Sequence, residues 1–202
     1  MVIKRIAVIH DINYGECDKI VDKVVSEDVD IIFICGGIRE CRKIVDVPKN
    51  VFGIADLEDD THIIKFLKSK GVYIAGRWKQ IEDICIGGVD AKNPIQNLSA
   101  LKEKLPYSCT NLILLSQYPI LNTTCSSIEI FKKKIAIGFA TELLKGLIER
   151  IEKMVVVSCN KALDGTCKDV ILDGRLSSVT IANRFTKLTV ILSNTIELII
   201  EH

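Results

Sequence analysis

Polar residues that could carry chemistry follow several apolar runs of this chain. Asp11 comes after the run 2–9, and the pair Gly36 and Gly37 comes after a second run. In open α/β sheets the functional site lies beyond the carboxyl ends of the strands, so such residues are the first candidates. Further residues in such places with side chains that could carry chemistry are Asn13, Asp56, Gln117, Cys159, Asn160 and Lys161. Carboxylate and amide oxygens suit a hard cation, whereas a thiol is a soft donor, so the set matches no common metal site.

The elements that position these residues follow from hydrophobic periodicity. Continuously apolar runs predict strands of a parallel sheet buried on both faces, and apolar residues three and four positions apart predict helices between them. Residues 72–87 have hairpin spacing, which predicts an antiparallel extension, and residues 121–134 predict a loop with a short helix or strand. The predicted strands are 2–9, 30–35, 50–54, 72–75, 77–81, 83–87, 111–116, 154–158, 168–172, 178–182, 187–192 and 195–200, and the predicted helices are 17–26, 39–45, 58–70, 96–105 and 138–153.

Composition and length limit the class of protein. A chain of 202 residues without a linker or a repeat predicts a single domain over 1–202, in which an α/β half joins a β-rich half. The hydrophobic content of 48% and charged content of 26% are typical of a globular protein, and the net charge of +1 leaves no electrostatic footprint for nucleic acid. The N-terminus lacks a signal-like cleavage site and no apolar run approaches ~20 residues. We therefore expect a cytoplasmic protein with no membrane partner.

The eight cysteines are spaced without a C-x-x-C pair, which argues against a structural zinc site. Cys35 and Cys85 lie inside apolar runs, where we interpret them as small buried hydrophobic residues. A disulfide such as Cys159–Cys167 is an alternative if the source is a hyperthermophile. The heavy use of Ile and Lys is compatible with an archaeal or thermophilic source.

The three histidines add little to a metal hypothesis. His10 is expected to pack or to lie on the surface, because alternation along a strand points it away from Asp11. His62 follows the acidic run 58–60, and we interpret that run as the first turn of a helix, where carboxylates favour the helix dipole.

Taken in order, the strand ends resemble those of the calcineurin-like metallophosphoesterases. The motifs of that family are Asp-x-His, Gly-Asp, Gly-Asn-His-Asp/Glu, a later His, and Gly-His-x-His. The segment GVYIAGRWKQIEDICIGGVDAKNP resembles the hairpin of the Icc-related archaeal and bacterial subgroup, and IGFATELLKGLIER resembles the helix before its final motif. The resemblance implies an α/β fold, an αββα sandwich of two facing mixed sheets flanked by helices.

Most positions that hold metal ligands in that family carry other residues here. Asp11 and Asp56 keep the acidic positions of the first and third motifs. The replaced or vestigial positions are Asn13 for His, Gly37 for the bridging Asp after Gly36, Ile54 and Ala55 for Asn-His, Gln117 for His, and Cys159 and Lys161 for the two His of the last motif. Two-metal hydrolysis holds its ions about 3.5–4 Å apart through bridging and flanking ligands. Such a centre is not expected from this set.

The resemblance therefore implies a catalytically degenerate protein, without catalytic residues or a metal cofactor. Its role would be binding, assembly or regulation, with an unknown protein partner or through self-association. One alternative is a phosphoesterase with an altered site that holds at most one divalent metal such as manganese, on Asp11, Asp56 and Gln117, aided by His62 or Asp90. A second alternative is a metal-free anion site, with contacts from Gly36, Gly37, Asn160 and Lys161.

Overall fold

Most apolar runs form strands and most amphipathic segments form helices in the part of the chain that the structure describes. The computed structural model describes residues 1–13, 15–39, 41–121, 123, 126–130, 133–136, 138, 141–159, 166–171 and 174–201. The elements in chain order are β1 (Val2–Ile9), α1 (Cys17–Ser26), β2 (Ile31–Cys35), a 3-10 helix (Arg42–Asp46), β3 (Asn50–Ile54), α2 (Thr61–Ser69), β4 (Trp78–Ile81), β5 (Ile84–Val89), α3 (Pro94–Lys104), β6 (Asn111–Ser116), β7 (Ser127–Ile130), β8 (Lys133–Ala136), α4 (Thr141–Ile148), β9 (Lys153–Cys159), β10 (Cys167–Ile171), β11 (Leu176–Ile181), β12 (Phe185–Leu192) and β13 (Ile196–Glu201).

The strands form two mixed sheets. Sheet A has the order β13-β12-β1-β2-β3, in which β1, β2 and β3 are parallel and β12 and β13 pair antiparallel. Sheet B has the order β10-β11-β9-β6-β5-β4, in which β5, β6, β9 and β11 are parallel and the two edge strands pair antiparallel. The strands β7 and β8 form a separate antiparallel pair. The parallel strands bring their carboxyl ends to one edge of each sheet.

Three buried clusters define the layers. The central cluster takes residues such as Val8 and Phe33 from sheet A and Ile113 and Val157 from sheet B, so the two sheets face each other. A second cluster packs sheet A against α1, α2 and the 3-10 helix, and a third packs sheet B against α3 and α4. The predicted α/β class, with two facing mixed sheets flanked by helices, is confirmed. No helix in the described part of the chain combines the length and apolar character needed to cross a bilayer.

Several predicted elements differ from those observed. The C-terminal strands do not form a β-rich half, because β10 and β11 join sheet B while β12 and β13 join sheet A. The helix predicted at 39–45 is a 3-10 helix over Arg42–Asp46, and the helix predicted at 138–153 is α4 over Thr141–Ile148. The segment predicted as a loop with a short helix or strand contains two paired strands, β7 and β8, instead of one short element. Residues 72–75 contribute isolated bridges to both sheets.

Candidate functional site

A cleft of about 240 Å³ lies at the carboxyl ends of the parallel strands of both sheets. We call it the strand-end cleft. Its lining residues come from the ends of β2 and β9 and from the loops after β1, β3, β5 and β6. They are His10, Asp11, Cys35, Asp56, Leu57, Glu58, Ala91, Gln117, Tyr118 and Cys159. Four of the predicted site residues, Asp11, Asp56, Gln117 and Cys159, therefore meet in one cavity, as expected for strand ends of facing sheets.

The first loop places both His10 and Asp11 on the cleft. Asp11 has a φ of +49°, in the left-handed region, and this conformation interrupts the alternation of the strand. His10 and Asp11 both line the cleft, which strand alternation did not predict, while the predicted packing of His10 is confirmed by its 4% exposure. The Asp11 carboxylate lies 3.7 Å from the Arg39 guanidinium. Asn13 lines a neighbouring pocket with Arg39 and Lys43, so the structure does not bring it to the cleft.

The second loop leaves no space for a side chain at Gly37. This residue has a φ of +66°, and a Cβ built on it would lie 2.8 Å from both the N and Cα atoms of Asp11. The Ile12 N–H donates to the Gly37 carbonyl at 2.9 Å, which fixes the two loops against each other. A Cβ on Gly36 would lie 2.6 Å from the Asp56 nitrogen. Backbone atoms therefore occupy the space that a side chain at position 37 would need. This is the position at which the metallophosphoesterases carry the bridging Asp.

The third loop uses its carboxylates for backbone hydrogen bonds. The Asp56 carboxylate accepts from the N–H groups of Glu58 at 2.6 Å and Asp59 at 2.9 Å, and Asp59 accepts from Gly37 at 3.2 Å. Burial raises the pKa of the Asp59 carboxyl, and the charge of Asp56 acts in the same direction. Asp60 caps α2 by accepting from Ile63 at 2.8 Å, and this hydrogen bond lowers the pKa of the Asp60 carboxyl.

These hydrogen bonds change the interpretation of the acidic run. Asp59 and Asp60 act as turn and cap residues, so α2 begins at Thr61 instead of residue 58.

Ile54 and Ala55 are fully buried and belong to the packed core on the two faces of sheet A. The mononuclear alternative gives Asp90 a supporting role. Asp90 is buried, does not line the cleft, and accepts a hydrogen bond from the Tyr73 hydroxyl. Burial, followed by this contact with Asp90, raises the pKa of Tyr73.

The opposite sheet contributes a covalent link. Cys159 at the end of β9 is bonded to Cys35 at the end of β2, so a disulfide joins sheet B to sheet A at the cleft. The Gln117 side-chain amide also crosses the cleft and donates to the Cys35 carbonyl. Cys35 is buried as predicted, but it is also disulfide-bonded, and the alternative Cys159–Cys167 pairing is wrong. Asn160 and Lys161 lie outside the described residues, so their predicted anion contacts stay predictions.

Two more disulfides join described residues. Cys17 pairs with Cys41, and Cys85 pairs with Cys109, which also corrects the interpretation of Cys85. Sequence alone could not choose among these pairings, because eight cysteines allow on the order of a hundred connectivities. A usable signal was present, since Cys35 and Cys159 each stand as the last residue of a buried strand. This signal identifies the pairing only if one knows that the strands of Cys35 and Cys159 face each other from different sheets.

The donor set of the cleft does not fit a dinuclear metal centre. Within the described ranges, no group of three or more His, Cys, Asp or Glu residues is arranged to hold a metal ion. Gly37 offers no side chain, the two sulfur atoms are bonded to each other, and Asp56 is engaged by two backbone N–H groups. The Gly37 N–H, one of the proposed anion contacts, already donates to Asp59. The other polar side chains that line the cleft are His10, Asp11, Glu58, Gln117 and Tyr118.

Comparison with known proteins gives a structural likeness without a family. No family model matches the chain, and no curated protein matches its sequence. One crystal structure aligns over 99% of both chains with a TM-score of 0.64 and 11% identity, so the fold is shared with a solved protein. Alignments to a single mutant of Vps29 from Entamoeba histolytica (TM-score 0.38, 10% identity, 98% of both chains) and to a predicted phosphoesterase from Streptococcus pneumoniae TIGR4 (TM-score 0.32, 10% identity, 100% of this chain and 99% of that chain) are too weak to inform on function.

Proposed function

We propose that this chain is a metallophosphoesterase-like protein that has lost the dinuclear catalytic centre and acts by binding. The order of residues at the strand ends supports the family, and two facing mixed sheets flanked by helices are the architecture which that resemblance implies. The observation that carries the loss of the centre is the contact between Gly37 and Asp11. Because a Cβ at position 37 would lie 2.8 Å from two backbone atoms, a bridging carboxylate cannot be restored there without moving a loop.

The chemistry of phosphoester hydrolysis supports the same proposal. Two ions about 3.5–4 Å apart must clamp the attacking oxygen and the phosphoryl group, and their mutual repulsion has to be offset by shared anionic ligands. The cleft instead has a disulfide at the ends of β2 and β9. A disulfide carries no charge and is a poor ligand for manganese or magnesium, which prefer oxygen. A cleft built in this way is suited to binding, assembly or regulation.

The partner proposed for this role is a protein, or a second copy of the chain. Leu57 lines the cleft with 67% of its surface exposed, and this apolar side chain would lie in the surface that such a partner covers. A cytoplasmic location and a thermophilic source also remain our proposals. The two proposals are linked, because stable disulfides are rare in cytosolic proteins outside hyperthermophiles. A cytoplasmic protein with these disulfides would therefore come from a thermophilic source.

Hydrolysis of a generic phosphodiester tests the proposal. Bis(4-nitrophenyl) phosphate is incubated with the oxidised protein and added Mn²⁺, and the same assay is run on Asp11→Asn and on Asp46→Asn. Asp46 is the control, because it forms a surface ion pair with Lys70 and does not line the cleft. We expect no turnover above the Mn²⁺ blank for any of the three proteins. Turnover that Asp11→Asn abolishes and Asp46→Asn preserves would overturn the proposal in favour of the mononuclear phosphoesterase.

A further inference from the structure

The disulfide between the sheets faces the strand-end cleft. Cys35 and Cys159 both line the cavity, although only 2% and 6% of their surfaces are exposed. Cys85–Cys109 is buried to the same degree, with 3% and 4% exposed, but it belongs to the packed layer between sheet B and its helices. These two disulfides are therefore matched in burial, but Cys35 and Cys159 line the strand-end cleft whereas Cys85 and Cys109 do not.

We infer that Cys35–Cys159 is a thiol–disulfide exchange site that small thiols reach through the strand-end cleft. The inference goes beyond the proposed function and does not depend on it, because it concerns the disulfide and no metal. The exposed fractions favour Cys159 as the sulfur that is attacked, since Cys35 is the more deeply buried of the two. A thiol outside the cleft would have to approach along the cavity for the three sulfur atoms to align.

The exchange proceeds in two balanced steps. A thiolate attacks the Cys159 Sγ, the Cys35–Cys159 bond breaks, and its electron pair leaves with the Cys35 Sγ, which takes up a proton. A second thiol attacks the external sulfur of the mixed disulfide and releases the Cys159 Sγ, which is protonated in turn. The protein gains two electrons and two protons, and the two external thiols are oxidised to one disulfide. Reduction frees the end of β2 from the end of β9.

The size and charge of the cleft define the class of thiol. A cavity of about 240 Å³ admits a small molecule and excludes a folded protein domain. Its described lining includes three acidic side chains, Asp11, Asp56 and Glu58, and the Arg39 guanidinium lies 3.7 Å from Asp11 and 4.0 Å from Glu58. The attacking species is an anion, so carboxylates slow its approach, and a second negative charge on the thiol slows it further. The site accordingly favours small neutral or cationic thiols.

Accessibility is tested on the native oxidised protein. Dithiothreitol is added without denaturant, samples are quenched with an alkylating agent at successive times, and labelled cysteine peptides are quantified by mass spectrometry. We expect Cys35 and Cys159 to be labelled roughly tenfold or more faster than Cys85 and Cys109, because exchange rates depend on access to sulfur. Labelling of the two pairs at equal rates, or of Cys35 and Cys159 more slowly, would overturn the inference.

Charge selection is tested with two thiols of similar size, cationic cysteamine and anionic 3-mercaptopropionate. Each rate of Cys35–Cys159 reduction is divided by the rate of the same thiol with an unhindered small disulfide, which removes differences in intrinsic reactivity. The ratio of the normalised cysteamine rate to the normalised 3-mercaptopropionate rate should exceed one. At low salt this ratio should be about fivefold lower in Glu58→Gln. Glu149→Gln is the matched control, since the side chains of Glu58 and Glu149 are 62% and 63% exposed. An equal response of both variants, or a preference for the anion, would refute the charge argument.

Discussion

Removing the Cys35–Cys159 disulfide should cost more stability than removing Cys85–Cys109. The double variant Cys35→Ala/Cys159→Ala deletes the link between the two sheets, and Cys85→Ala/Cys109→Ala is its matched control. All four cysteines are between 2% and 6% exposed, so the loss of buried surface and the small cavities left by alanine are similar in the two variants. The difference between them therefore isolates the length of chain that each disulfide closes.

The expected magnitude follows from the entropy of loop closure in the unfolded chain. The disulfides span 124 and 24 residues, and Cys85–Cys109 lies inside the larger loop, which shortens the larger loop to about 100 residues. The loop-closure relation then gives about 4.7 kcal/mol for Cys35–Cys159 and about 3.4 kcal/mol for Cys85–Cys109. The first double variant should therefore lose about 1.3 kcal/mol more of the free energy of unfolding than the second.

Urea unfolding of the oxidised proteins, followed by far-UV circular dichroism, measures this difference. For a chain of this length, each kcal/mol corresponds to roughly 2–4 °C in Tm, so thermal unfolding should separate the two variants by about 3–5 °C. An equal loss of stability in both variants, or a larger loss in Cys85→Ala/Cys109→Ala, would refute the reasoning from loop length.

Further predictions concern the loops that shape the cleft. Gly37→Ala places a Cβ 2.8 Å from the Asp11 backbone and should lower the free energy of unfolding by about 3 kcal/mol. Gly15→Ala, where φ is +84° and no atom lies within 4 Å, should cost only about 1–2 kcal/mol, and equal losses in urea unfolding would contradict the packing argument. Burial raises the pKa of Asp59 above its unfolded value of 3.8, so its stabilising contribution is full below pH 3.8 and is lost as the pH rises through the folded pKa. Asp59→Asn should therefore gain stability relative to the wild type as the pH rises above 3.8, and a constant difference across that range would contradict the assignment. The pKa of Asp60 is lowered, so its contribution is present above pH 3.8 and is lost at lower pH. The deficit of Asp60→Asn relative to the wild type should shrink below pH 3.8, and a growing deficit would argue against the cap.

Hydrophobic periodicity predicts the buried layers of this protein well. The strand β1, the helix α1 and the strand β3 have the predicted bounds, because a continuous apolar run or an amphipathic stripe leaves little choice of structure. Periodicity says nothing about which sheet a strand joins, so the distribution of β10 to β13 over both sheets was missed. The start of α2 was missed for a local reason, since the carboxylates of Asp59 and Asp60 bind backbone N–H groups and delay the helix.

The candidate site was predicted in part. The rule that functional residues lie beyond the carboxyl ends of the strands predicts a shared site for Asp11, Asp56, Gln117 and Cys159, and all four line the cleft. It missed Cys35 as a lining residue, because a cysteine inside an apolar run is usually a packed hydrophobic residue. It also missed His10, because the left-handed conformation of Asp11 depends on packing against Gly37, a contact between loops that sequence spacing does not reveal.

We propose that the strand-end cleft does not hold a pair of metal ions, and metal binding tests this directly. Equilibrium dialysis of the oxidised protein against Mn²⁺, followed by elemental analysis, counts the ions bound per chain. The packing of Gly37 on Asp11 and the Cys35–Cys159 disulfide predict far less than one ion per chain, with the same value for Asp11→Asn. Two ions per chain in the wild type, reduced in Asp11→Asn, would contradict the account.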